Sequence, residues 1–245
     1  MTVITYDKTE RGRVLEKRFS ALENETWHTA TLLPIPSFKG GKLCGTNLTP
    51  ADLCAACQDT VVVGYGLDSV REELEARGCL VIDAACDEDF LLENARLTAV
   101  ATLGIILTTE KREPRELSVG VAGYGRIGKI LTELLLYLGF GVKVFTSSDK
   151  TLALLCECGV PAAKSESCAN FGGLDILINT APATVFTNIP EGVRLMELAS
   201  GDNFPEGRAE KYPSLPAKFY PESAGRAYAR AAEKALALGG KKNGK

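Results

Sequence analysis

The stretch VAGYGRIGKI, residues 121–130, decides how this chain is read. Gly123-x-Gly125-x-x-Gly128 ends an apolar run, SVGVAG, and opens an amphipathic one, RIGKILTELLLYLG, closed by Gly139. Strand, glycine turn and helix in that order are the context a dinucleotide fingerprint requires. Gly123 lets the chain turn sharply, Gly125 lets backbone N–H groups approach a pyrophosphate, and Gly128 lets helix and strand pack closely. The helix N-terminus then directs its partial positive charge at the phosphates. Gly123, Tyr124, Gly125, Arg126, Ile127 and Gly128 are thus the expected pyrophosphate turn, with Arg126 a candidate phosphate partner.

The next strand, GVKVFTSS, bears on which dinucleotide is bound. NAD enzymes commonly end this strand with an acid that holds the ribose 2′-OH. Here Thr146, Ser147 and Ser148 stand there, with Lys150 close by. Hydroxyls and a lysine can hold a 2′-phosphate that a carboxylate would repel, which points to NADP. The alternative is NAD, held by Asp149 after a loop shift. Further on, DILINTAP reads as a strand ending in Asn179, Thr180, Ala181 and Pro182, and RLMELAS as one ending in Ala199 and Ser200. Ligands of open parallel sheets bind at such carboxyl ends. Both turns are therefore expected near the cofactor, with Ala199 and Ser200 toward the nicotinamide and Pro216, Ser223 and Gly225 closing that side.

A second Gly-Tyr-Gly stands in VVVGYGLDSV, residues 61–70, but lacks the third glycine. Around it the same punctuation recurs. TVITYD, ATLLPIP, VVVGYG and CLVIDA read as strands. TERGRVLEKRFSALE, TPADLCAACQ (Thr49 as N-cap, Pro50 first) and SVREELEARG read as helices, and FKGGKLCGTN as a glycine-rich loop. Residues 88–109, EDFLLENARLTAVATLGIILTT, form one long apolar-rich helix, followed by a polar connector stopped by Pro114. The fold class is α/β: two parallel-sheet lobes, the second a Rossmann dinucleotide-binding domain, joined by the long helix. The expected domains are an abbreviated first lobe (1–90), helix and connector (91–116), the Rossmann domain (117–220), a final helix crossing back (221–238), and a disordered tail (239–245).

The 245 residues and 45% hydrophobic content suit a globular protein with a sizeable core. A net charge of −3 gives no footprint for nucleic acid or an acidic membrane. No apolar run is read as a membrane span, residues 88–109 being charged at their start. MTVITYDKTERGR has no signal-peptide pattern, so a cytoplasmic location is expected. The eight cysteines lack zinc-type pairing with histidine, since His28 is the only one, and are read as reduced and mostly buried.

Two resemblances follow from these stretches. GYGLDSVREELEARGCLVIDA, then ENARLTAVATLGIIL and SVGVAGYGRIGKI, resemble in order the D-2-hydroxyacid dehydrogenases. There the first segment faces the cofactor from the substrate lobe, a role the first Gly-Tyr-Gly shares equally with a plain strand-end turn. That superfamily uses a histidine acid/base, an aiding glutamate and a substrate-binding arginine. Here His28 lies far upstream and reads as a packed or surface residue, and Ser200 stands where the arginine would fall. SVGVAGYGRIGKI, GFGVKVFTSS, LDILINTAP, LMELAS and LPAKFYPESAGRAYARAAEKAL resemble more closely the dipicolinate synthase A-chain family, over about 30–238. The resemblance implies dehydrogenation of a dihydrodipicolinate-type precursor to the aromatic pyridine dicarboxylate in spore-forming bacteria. It also implies a nicotinamide cofactor and a second, flavoprotein-like chain. Aromatisation drives the hydride transfer, so a strong general base is not essential, whereas donors for two carboxylates are.

The chain departs from that family at several points. The family's longer, glycine-rich opening strand-turn-helix is not recognisable. Its Pro-Thr-x-Glu-Gly becomes Leu97, Thr98, Ala99, Val100 and Ala101, without the glutamate. Leu-Pro-Gly becomes Leu215, Pro216 and Ala217, and Glu222 replaces an expected lysine, which disfavours a dicarboxylate. The candidate catalytic residues are Thr98 and Ser200. Thr98 and Thr102 lie one helical turn apart and read either as ligand-facing or as buried threonines bonded to their own helix. Three functions compete: an NADP-dependent oxidoreductase of this type acting on a small carboxylate, a nucleotide- or partner-binding module without catalysis, and a dehydrogenase of another small acid using Tyr65, Tyr220 or Lys218. A homo-oligomer is expected for the superfamily.

Overall fold

The computed structural model describes residues 1–24, 26–165, 171–182, 189–199, 201, 203–205 and 207–239. It divides into two compact units, Met1–Asn94 with Pro216–Lys245, and Ala95–Leu215. The expected tail beyond 239 and Ser200 lie outside the described residues.

The first unit holds β1 (Thr2–Thr5), α1 (Glu10–Ser20), β2 (Thr29–Leu32), β3 (Phe38–Lys39), β4 (Lys42–Leu43), α2 (Pro50–Ala56), β5 (Val61–Gly64), α3 (Asp68–Ala76) and β6 (Leu80–Asp83). Its parallel sheet runs β1-β2-β5-β6, and the glycine-rich loop is in fact the small antiparallel hairpin β3–β4. The all-buried VVVG of β5 is an apolar run covered on both faces. Ala30, Leu32, Val61, Val63 and Ile82 pack with Leu15 and Phe19 of α1. Val62 and Val81 pack with Leu53, Val70 and Leu74 of α2 and α3. The chain steps one way along the sheet but crosses first on one face and then on the other. The β1–α1–β2 connection therefore has the opposite hand to β5–α3–β6.

The unit does open on a strand-turn-helix, in which a carboxylate fixes the turn and Gly12 lets α1 lie on it, since a Cβ there would overlap the Asp7 carbonyl oxygen. Asp7, buried, accepts from the backbone and hydroxyl of Thr9, the N-cap of α1, and pairs with buried Arg11 at 3.1 Å. The Gly-Tyr-Gly of this unit begins at Gly64, the last residue of β5. Gly66 and Leu67 donate their N–H groups to the buried Asp83 carboxylate at 2.9 and 2.6 Å. Tyr65 packs edge-on to Phe90, their centroids 6.3 Å apart. His28 is exposed.

The long helix α4 (Glu88–Thr109) has the bounds expected from the sequence. By length and composition it is apolar enough to cross a membrane, contrary to the sequence reading, yet half of its most apolar stretch is buried within the protein, as in a core helix. Its Thr102 hydroxyl donates to the Thr98 carbonyl at 2.9 Å, and both threonines are buried.

The second unit holds β7 (Ser118–Ala122), α5 (Arg126–Tyr137), β8 (Gly141–Thr146), α6 (Asp149–Glu157), β9 (Ala162–Lys164), β10 (Ile176–Asn179), β11 (Arg194–Glu197) and β12 (Ala209–Lys211). The six strands are parallel in the order β12-β11-β10-β7-β8-β9. The edges β9 and β12, AAK and AEK, carry no strand signal in the sequence because three half-buried or exposed residues show no apolar run.

The chain ends in a short helix α7 (Leu215–Phe219) and α8 (Pro221–Gly239). Within the first unit α8 lies against α1. A Cβ on Gly225 would sit 2.6 Å from Cβ of Val14, so this glycine, expected beside the nicotinamide, serves close helix packing. Tyr228 is fully buried, and its hydroxyl donates to the Leu33 carbonyl at 3.1 Å. The described cysteines are free, but Cys86, Cys156 and Cys158 are exposed, against the expectation of mostly buried thiols.

Candidate dinucleotide site

The second sheet reverses its strand order between β7 and β10, and there the glycine turn sits. Gly123 has φ +90, and a Cβ on it would stand 2.8 Å from the Thr180 hydroxyl oxygen. A Cβ on Gly128 would overlap the Gly123 carbonyl, so the start of α5 lies directly on the turn. Around Gly125 the space is open, with nothing within 4 Å of its Cβ position. Gly125 is the N-cap of α5 and makes no side-chain cap hydrogen bond, so its own side chain does not close the helix N-terminus.

The end of β10 forms a second wall. The Thr180 hydroxyl donates to the carbonyls of Ala122 at 2.9 Å and Gly123 at 3.4 Å, fastening this wall to the glycine turn. Asn179 is fully buried and holds its turn from behind, accepting from the Ala181 N–H at 3.1 Å and donating to the Ala181 carbonyl at 3.0 Å. Its amide also donates to Glu197 Oε1 at 2.9 Å. Glu197 is buried and further accepts from the Ala199 N–H at 3.0 Å and the Asn203 amide at 3.1 Å. Burial pushes its carboxyl above the usual carboxylate range, against the donors from Asn203, Asn179 and Ala199. Glu197 was not singled out in the sequence. Its signal in the sequence is an acid that follows the apolar pair Leu195–Met196 at the end of the strand RLME.

The third wall is the β8–α6 turn. The Thr146 hydroxyl accepts from the Ser148 N–H at 3.2 Å, and Ser148 caps α6 by accepting from Thr151 at 3.2 Å. Lys164, from the end of β9, donates to the Ser147 carbonyl at 2.9 Å.

These walls line a cavity of about 320 Å³ that is partly open to solvent. Of the expected residues it brings together Gly123, Tyr124, Gly125, Thr146, Ser147, Ser148, Thr180, Ala181 and Pro182, and adds Phe145, Thr151 and Ser165. Arg126, Ile127, Gly128, Lys150, Asn179 and Ala199 do not line it. Gly128 and Asn179 act on its walls from behind, and Lys150 is exposed on the first turn of α6. None of the described lining residues is charged. Hydroxyl groups, the N-terminus of α5 and a cradle that a Cβ would fill suit a phosphate-bearing dinucleotide. A larger cavity of about 520 Å³ in the first unit is lined by Asp87, Asp89, Arg230, Glu233 and Lys234, among others. There Lys234 is spent on Asp87 at 3.1 Å and Asp89 at 2.9 Å, and no glycine turn faces it.

A six-stranded parallel sheet whose order is 3-2-1-4-5-6 by position in the unit, with a glycine turn at its switch point, is a Rossmann dinucleotide-binding fold. No protein-family model matches the chain, and no curated protein does. Among solved structures it is similar to the dipicolinate synthase A chain from Bacillus subtilis (16% identity, TM-score 0.78, covering 99% of this chain and 96% of the other). It is similar as well to the corresponding dipicolinate synthase chain from Bacillus halodurans (22%, 0.77, 96% and 97%). D-lactate dehydrogenase from Escherichia coli matches at 12% and TM-score 0.58, over 98% of each chain. At these identities the likeness is one of fold: an α/β chain of the kind found in two-domain dehydrogenases.

Proposed function

We propose that the chain binds a nicotinamide dinucleotide, NADP in preference to NAD, and dehydrogenates a small carboxylate substrate of the dihydrodipicolinate type. The observation that carries this reading is the glycine turn, fastened by Thr180 to the end of β10 at the strand-order reversal. The first-turn N–H groups of α5 would hold the pyrophosphate, and Thr146, Ser147 and Ser148 the adenosine ribose. The hydroxyls of Thr146, Ser147 and Ser148 stand where an acid would hold a ribose 2′-OH, and the neighbouring Asp149 is paired with Lys164 at 2.6 Å, which supports the 2′-phosphate form. When bound, the nicotinamide supplies a hydride acceptor. The substrate ring gives up a hydride and a proton and becomes aromatic, which lowers the demand on a protein base. The fold likeness to dipicolinate synthase A chains supports the substrate class. A homo-oligomer, a cytoplasmic location and a second, flavoprotein-like chain as partner belong to the same proposal.

The alternative is a nucleotide-binding module without catalysis. It is favoured by Val100, which stands on α4 where the resemblance expects a glutamate. Calorimetric titration of the purified protein with NADP and NAD, repeated on Gly125→Asp, tests the binding step. Tight binding lost in the variant is the expected result, and no binding of either nucleotide by the wild type refutes it. Turnover of dihydrodipicolinate, with and without the flavoprotein-like chain, then separates enzyme from module.

A further inference from the structure

We infer that Lys164, at the end of β9, is the residue that selects the 2′-phosphate of NADP, and that Asp149 occupies its ammonium until the phosphate arrives. This rests on the proposed dinucleotide reading and names the specificity determinant of the same site. The sequence points to Lys150, which is exposed on the first turn of α6. Lys164 lies seventeen residues beyond Ser147 and reaches the site only because β9 pairs with β8.

The register sets Lys164 opposite Thr146, level with the strand end that faces the adenosine ribose in this fold. From there its ammonium folds over the β8–α6 turn. It donates to the Ser147 carbonyl at 2.9 Å and pairs with Asp149 at 2.6 Å. Ser147 and Ser148 line the cavity; Lys164 is not itself part of that lining but holds the carbonyl of a residue that is. The two partners differ in setting: the Lys164 side chain is 30% exposed and the Asp149 side chain 88%. A carboxylate so well hydrated is a weak partner that releases the lysine at little cost. A phosphate dianion carries more charge and offers more acceptor oxygens at the same spot. NAD brings only a hydroxyl there and leaves the Asp149 pair intact. The site would thus prefer NADP, with Asp149 moderating the preference.

The test is the ratio of NADP to NAD dissociation constants, measured by calorimetry on wild type, Lys164→Gln, Lys164→Arg and Asp149→Asn. Glutamine removes the charge and keeps a donor on a side chain one bond shorter. We expect Lys164→Gln to erase the preference by about tenfold or more, Lys164→Arg to restore it, and Asp149→Asn to raise it. The wild-type preference should also shrink with added salt. An unchanged ratio in Lys164→Gln overturns the assignment, and so does a wild type that binds NAD and NADP equally, although dinucleotide binding then still stands. A wild type that binds neither nucleotide overturns both.

Discussion

The Thr180 hydroxyl donates to the carbonyl oxygen of Ala122, 2.9 Å away, and so ties the end of β10 to the start of the glycine turn. The same carbonyl accepts from the Thr180 N–H at 2.8 Å. Removing the hydroxyl alone leaves that acceptor satisfied. Thr180→Val, which keeps the shape, should therefore cost only about 1 kcal/mol in urea unfolding. Because the hydroxyl also braces the turn at Gly123, nucleotide affinity should fall more than stability does.

Two glycines of one turn should respond in opposite ways. Gly128→Ala drives a methyl into the Gly123 carbonyl and should destabilise the second unit by about 1–3 kcal/mol, losing nucleotide binding with it. Gly125 has φ −79 and an open Cβ position at the N-cap of α5. Aspartate caps helices better than glycine, so Gly125→Asp should leave the melting temperature unchanged or slightly raised. Its carboxylate would meet the pyrophosphate, and calorimetry should show binding lost. Unimpaired binding by a folded Gly125→Asp protein would place the phosphates elsewhere.

Glu197 joins the two strand-end turns through Asn179, Ala199 and Asn203. In Glu197→Gln a donor NH₂ replaces one acceptor, leaving a buried donor unpaired at a cost of about 1–3 kcal/mol. The pH dependence has a definite sign. Because burial raises the folded-state value, the stability tied to the protonated form is fully present below the ordinary glutamate range. It is lost as pH rises through the raised value. Denaturant midpoints across mildly acidic pH should show this slope in the wild type and not in Glu197→Gln.

Asp175 carries the opposite sign. It accepts from the Ser118 N–H at 2.8 Å and from Arg112 at 2.7 Å, contacts that hold its carboxyl below the usual range. Its contribution is present above the ordinary aspartate value and lost as pH falls through the depressed one. Asp175→Asn should cost about 1 kcal/mol at neutral pH, Arg112 being half exposed, and nearly nothing in strong acid. Paired melts at the two pH values check the convergence.

The glycine turn was legible in the sequence because its causes are local: a positive φ at Gly123, an open N-cap at Gly125, and an apolar run on each side. The bounds of α4 were legible for the same reason, as was the N-cap at Thr49, which closes a capping box with Asp52. The edges β9 and β12 were not, since three residues of mixed polarity hold their place through partner strands. Nor was the hand of the β1–α1–β2 connection, which depends on which face of the sheet each helix covers.

The sequence by itself determined that a dinucleotide-type turn sits between a strand and a helix in an α/β chain, because neighbouring residues set backbone conformation and apolar pattern. Only the tertiary structure decided which side chains attend that turn. Asn179 went behind the wall because Glu197, eighteen residues on, faces its amide across paired strands. Lys164 reaches the Ser147 carbonyl because β9 lies in register with β8. Strand pairing joins residues that are far apart along the chain, and no spacing rule within a single segment records which strand will be the neighbour.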